Sequence, residues 1–104
     1  MPIHRINTVS DLGEAVWAVR KASKVRQDDV AGGAGVSHVF LRDLEHGKET
    51  VQIGLVLQVL SELGIGLTLD IPDDVAQFLQ DEQAQIQRRR SKLQAERMAH
   101  DAAS

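Results

Sequence analysis

The chain is 104 residues long, carries a net charge of −3 and has no cysteine. That bounds it to one small domain, excludes a disulfide framework or thiolate metal site, and argues against indiscriminate coating of nucleic acid. Hydrophobic residues make up 42% of it but aromatic ones only 3%, so the core must be almost wholly aliphatic, in a domain only marginally stable by itself.

The opening "MPIHRINTVSD" has no apolar signal segment. The longest uncharged run, from Thr50 to Ser61, is too short and too polar to span a membrane. With no cysteine, these features fit a cytoplasmic protein with no membrane association.

A first helix is expected over "LGEAVWAVRKASK", capped by Ser10 or Asp11 with Glu14 completing a capping box. Leu12, Ala15, Val16, Val19 and Ala22 share one face at helical spacing, and Lys21 and Lys24 suit the C-terminal end of the dipole. A second helix fits "QDDVAGGAG", with Asp28 and Asp29 in its first turn and a soft centre at Gly32-Gly33. Gly35 supplies the turn, and Ser37 caps a third helix that runs to about His46 and leaves through Gly47.

The fourth segment, "TVQIGLVLQVLSELG", starts from a Thr50 cap and ends at Gly64. It is apolar most of the way round, which calls for burial on more than one side. In so small a domain the second side reads as a subunit interface, with Val56 and Leu60 as contacts. "GLTLDIP" then alternates Leu67, Leu69 and Ile71 with polar residues and reads as one short strand. Such a strand needs a ladder partner. A second copy across a two-fold axis supplies one, bringing Leu67 and Leu69 into the interface; the N-terminal "PIHRI" is the alternative. From Asp73 onward the sequence is a polar, helix-forming tail, expected to be largely exposed and to fray toward Ser104. Leu79, Ile86 and Leu93 recur every seven residues, but Glu82, Arg89 and Glu96 on the other seam make a coiled coil too weak.

A helix with small residues at its centre, a glycine four positions after Ala31, and a following helix held by Leu41 and Leu44 describe a helix-turn-helix, whose second helix offers its outer face to the DNA major groove. The stretch "VRQDDVAGGAGVSHVFLRDLEHGK" resembles the helix-turn-helix of the Xre and phage-repressor (Cro/C1) family: Gln27, Ala31, Gly35, Val36, Ser37, Leu41, Glu45 and Gly47-Lys48 stand in register. "FLRDLEHGKETVQIGLVLQVLSELGIGLTLDI" is similar to HipB-type antitoxins, especially the Y4mF-like branch. The resemblance covers roughly residues 8–71. It implies a repressor-like all-α domain, a homodimer bound to double-stranded operator DNA upstream of its own operon, and a HipA-type serine/threonine kinase toxin as partner.

In that frame the DNA-facing residues are Ser37, His38 and Val39 in the first turn of the third helix, with Arg42 one turn on. Arginine can fork onto guanine, valine can touch a thymine methyl, and histidine can donate to a base or a phosphate. Gln27, at a helix N-terminus, is placed to hold a phosphate. Lys48 is a further backbone contact, with Arg26 and Lys24 behind it. Phe40 reads as packing rather than contact.

Catalytic readings find no support. His4, His38, His46 and His100 lack metal-ligand spacing, and "GGAGVS" lacks the strand and lysine of a phosphate loop. No cofactor, metal or enzymatic activity is expected. The expected organisation is residues 1–72 for DNA binding and dimerisation and 73–104 for the tail. A stand-alone Xre-type regulator without a toxin is the first rival, and a protein-interaction module that binds no DNA is the second.

Overall fold

The computed structural model describes residues 2–103, with side-chain placement through residue 99. Its described residues form five helices and no strand: α1 (Val9–Ala22), α2 (Gln27–Ala34), α3 (His38–Glu45), α4 (Ile53–Glu62) and α5 (Asp73–Ala103). The chain divides into two compact units, with the boundary between Leu67 and Thr68. The first holds α1 to α4, in which α1 packs on α3 and α2 packs on both α3 and α4. The second holds α5.

The core of the first unit is aliphatic, as composition requires. Val16, Val30, Ala31, Leu41, Leu44, Val56, Val59 and Leu60 are all buried, ringed by half-buried residues that include Val9, Val36, Phe40, Val51 and Ile65. Gly13 lets α1 approach α3: a Cβ there would stand 2.1 Å from the Leu44 carbonyl oxygen.

The start of α1 differs from the expected Ser10 or Asp11 cap. Thr8 is the N-cap, its Oγ1 accepting from the Asp11 N–H at 3.0 Å. Asp11 completes the capping box by accepting from the Asn7 and Thr8 N–H groups at 2.9 and 3.2 Å. The earlier start satisfies those two donors and brings Val9 onto the core. The backbone N–H of Asn7, opposed by desolvation and helped by the N–H and hydroxyl of Thr8, holds the Asp11 carboxyl below its ordinary range.

Helix α4 begins at Ile53, with Gln52 as an N-cap that makes no side-chain bond, rather than from Thr50. Val51 packs on the core from the lead-in chain, so the helix starts after it. Val56 and Leu60, expected at a subunit interface, lie instead inside the protomer's own core at 1% and 2% exposure. The apolar residues that α4 leaves outside are Ile53 at 64% and Leu57 at 46%.

"GLTLDI" is not a strand in the single chain, and neither it nor the N-terminal "PIHRI" enters a ladder. Leu67 and Leu69 are exposed. One chain offers this segment no ladder partner, and alternation alone does not make a sheet.

Helix α5 runs for 31 residues, with the Ala76 N–H donating to the Pro72 carbonyl at 2.9 Å. Val75, Phe78, Leu79, Ile86 and Leu93 are all exposed along it. The helix, expected to fray toward Ser104, is continuous to Ala103; Ser104 lies outside the described residues, as do the side chains of residues 100–103.

Candidate nucleic-acid interface

The turn between α2 and α3 is built by the backbone. Gly35 adopts φ 73°, a left-handed conformation that glycine enters without a Cβ penalty. The Val36 N–H then closes back onto the Ala31 carbonyl at 3.0 Å. Ser37 caps α3, its Oγ accepting from the Phe40 N–H at 3.0 Å. Leu41 and Leu44 are fully buried and fix the inner face of α3. Beyond it, Gly47 at φ 80° passes so close to α1 that a Cβ would lie 2.8 Å from the Ser10 Cα. The third helix is therefore held at both ends and along one side. Its other side carries Val39, 53% exposed, with His38 and Arg42 also exposed.

Beneath this surface is a buried ion pair. Arg20 of α1 forks onto Glu45 at the end of α3, with Nε and Nη2 donating to the two carboxylate oxygens at 2.7 and 2.8 Å. Its Nη1 donates to the Val25 carbonyl at 3.1 Å. The two side chains are only 7% and 3% exposed. Burial opposes ionisation of Glu45, but hydrogen bonds from Arg20 and Gln27, with the adjacent positive charges, outweigh it and hold the carboxyl below its ordinary range. The bond to Glu45 raises the Arg20 guanidinium above its own, so both stay charged.

The network continues outward. Gln27 Nε2 donates to Glu45 Oε1 at 3.0 Å, which turns the Gln27 carbonyl away from the carboxylate. His38 Nε2 donates to that carbonyl at 3.0 Å, and its Nδ1 meets the Asp28 carboxylate at 2.5 Å. A chain of polar contacts thus runs from the core through the start of α2 to the front of α3.

No protein-family model matches the chain. Over 70 residues, 67% of this chain and 92% of the relative, the sequence is 50% identical to the HTH-type (helix-turn-helix) transcriptional regulator y4mF of Sinorhizobium fredii. The chain belongs to this family of HTH-type transcriptional regulators. It is therefore a DNA-binding regulator and not an enzyme. Solved structures with the same fold include a HipB–O4 20mer complex and a HipA–HipB–O2–O3 complex, each at TM-score 0.63 and 18% identity over 68% of this chain and 100% of theirs.

The residues expected to face DNA separate into groups. Ser37 is the cap, and Val39 and Arg42 lie open on the outer face of α3; the Arg42 guanidinium has no hydrogen-bond or ion-pair partner among the described residues. His38 is exposed, but both ring nitrogens are taken by α2. The Gln27 amide is bound to Glu45 and His38, so at this helix N-terminus the uncapped backbone N–H groups are the donors open to a phosphate. Lys48 lies 3.5 Å from the half-buried Asp43, and Arg26 lies 3.7 Å from Asp29 as an exposed pair of little energetic weight.

Arg20, Glu45 as its buried partner, Gly13, and Asp28 as a ligand of His38 escaped the sequence reading. One signal for Arg20 was present: Val9, Gly13, Val16 and Arg20 follow each other at four-, three- and four-residue steps, the spacing of a buried face. Among the described residues no group of three or more His, Asp or Glu is placed to hold a metal ion, and no helix is long and apolar enough to cross a membrane.

Proposed function

We propose that this regulator binds an operator upstream of its own operon as a homodimer, represses that operon, and neutralises a HipA-like serine/threonine kinase toxin in the cytoplasm. The observation that carries the DNA reading is the third helix, clamped by Leu41, Leu44 and the Arg20–Glu45 fork while Val39 and an unpartnered Arg42 stay open. Arg42 is the reader of guanine, Val39 the contact for a thymine methyl, and Ser37 and the start of α2 at Gln27 hold phosphates. Lys48 adds a screened backbone contact.

Dimerisation draws support from what one chain leaves uncovered: Ile53 and Leu57 on α4, and Leu67 and Leu69 in the segment after it. Pairing that segment with its copy gives each the ladder partner it lacks. The half-sites then form an inverted repeat about one helical turn apart, or a multiple of it.

The likeness to a HipA–HipB–O2–O3 complex supports the kinase partner, and the exposed stripe on α5 offers it a surface. Residues 1–72 in this account dimerise and hold DNA, while 73–104 serve the partner.

The test compares the full chain with one ending at Pro72. Both should retard the DNA upstream of the gene, and only the full chain should capture the kinase encoded beside it. Equal capture moves that interface onto α1–α4. Capture by neither form, with DNA binding intact, leaves a stand-alone regulator.

A further inference from the structure

We propose that Asp28 is a specificity-determining positioning residue, which with Gln27 holds both ring nitrogens of His38 and so decides what the front of α3 shows to a base. The proposal rests on the DNA-binding reading and deepens it. Glu45 is fixed by Arg20 in the core, so it fixes the Gln27 amide: Nε2 faces the carboxylate and Oε1 must face away. That carbonyl takes the N–H of His38 Nε2 at 3.0 Å. The opposite ring nitrogen is held by Asp28 at 2.5 Å. A histidine so engaged on both sides has no nitrogen left to offer a base edge and presents only its C–H edge and ring face. Readout at the front of α3 then falls to apolar contact from the His38 ring and Val39, and hydrogen-bonded readout falls to Arg42 one turn on.

Removing the Asp28 carboxylate frees Nδ1. With the ring proton on Nε2, a freed Nδ1 can accept from a major-groove donor such as adenine N6 or cytosine N4, which an engaged one cannot. Asp28→Ala should therefore change which base is preferred at one position of each half-site. A carboxylate that only repelled phosphate would behave differently, since its loss would strengthen binding to every sequence alike. Asp28 is exposed, so the substitution leaves the core untouched.

The experiment selects duplexes from a randomised pool with the wild type, Asp28→Ala, His38→Ala and the double variant. Melting curves confirm that each is folded. The expected result is a shift in relative preference of about five- to tenfold at one half-site position for Asp28→Ala, the scale of one hydrogen bond to a base edge. The rest of the site should be unchanged. In the His38→Ala background the Asp28 substitution should shift nothing, because Asp28 acts through the ring. Two outcomes overturn the proposal while leaving DNA binding intact: an unaltered preference with uniformly tighter binding, or the same Asp28 effect with and without the imidazole. A wild type that enriches no sequence overturns both this proposal and the DNA-reading function.

Discussion

Glu45→Ala is the most informative change to the scaffold. It removes the acceptor of three hydrogen bonds, two from Arg20 at 2.7 and 2.8 Å and one from Gln27 at 3.0 Å, and leaves a guanidinium 7% exposed with the Val25 carbonyl as its remaining partner. Breaking a buried pair from one side costs about 3–5 kcal/mol, because the surviving charge stays desolvated. The lower end applies here, since Val25 still accepts from Arg20. About 3 kcal/mol is a large part of the stability of a domain this size, and by the usual scaling it lowers the melting temperature by roughly 12–24 °C.

Replacing both partners by apolar residues, Arg20→Met with Glu45→Leu, should recover most of that loss. It should also release Gln27 and so disturb DNA readout. The pair has a pH signature as well. The Glu45 carboxyl is depressed below its ordinary 4.5 in the folded state, so its contribution is fully present above that value and disappears as the pH falls through the folded value. Thermal melts from pH 7 down to pH 3 should show this acid loss in the wild type and a shallower one in the double variant. A Glu45→Ala variant within about 1 kcal/mol of the wild type at pH 7 would refute the reasoning.

Gly13→Ala should destabilise by about 1–3 kcal/mol despite alanine's better helix propensity, because its Cβ would meet the Leu44 carbonyl oxygen at 2.1 Å and force α1 from α3; urea midpoints measure this. Gly32→Ala should do the reverse, raising stability by about 0.5–1 kcal/mol in the same assay, since nothing lies within 4 Å of the added Cβ. Leu57→Glu should shift sedimentation at micromolar concentration from dimer toward monomer without lowering helicity, because Leu57 is 46% exposed in the single chain; a stable wild-type monomer would remove the dimer from the account.

What could be read in the sequence follows from how local the physics is. Ala31, Gly35, Ser37, Leu41 and Leu44 specify a turn and a buried helix face within fourteen residues, and each stands where the pattern puts it. The cap of α1 was less legible because Thr8, Ser10 and Asp11 are all chemically able to cap. Only the packing of Val9 and the donors of Asn7 and Thr8 choose among them. The Arg20–Glu45 fork joins residues 25 apart, and no local pattern announces such a pair. An apolar helix such as α4 states how much surface must be covered but not which residues the protomer covers itself: Val56 and Leu60 fill its own core, and Ile53 and Leu57 stay open. For "GLTLDI", alternation marks a strand candidate, and a strand forms only where a second strand is offered. His38 illustrates the same limit at the site, since its two partners lie in the preceding helix.

The central claim is that the open face of α3 reads a specific DNA sequence, and it is tested most directly by measuring binding of the wild type and Arg42→Ala to the DNA upstream of the gene and to a shuffled duplex, in the same salt. The account predicts that the wild type prefers the upstream DNA by about a thousandfold or more. Arg42→Ala should lose roughly 1–3 kcal/mol of that preference while its affinity for the shuffled duplex falls far less. Equal affinity of the wild type for both duplexes, or equal losses on both for Arg42→Ala, would contradict it.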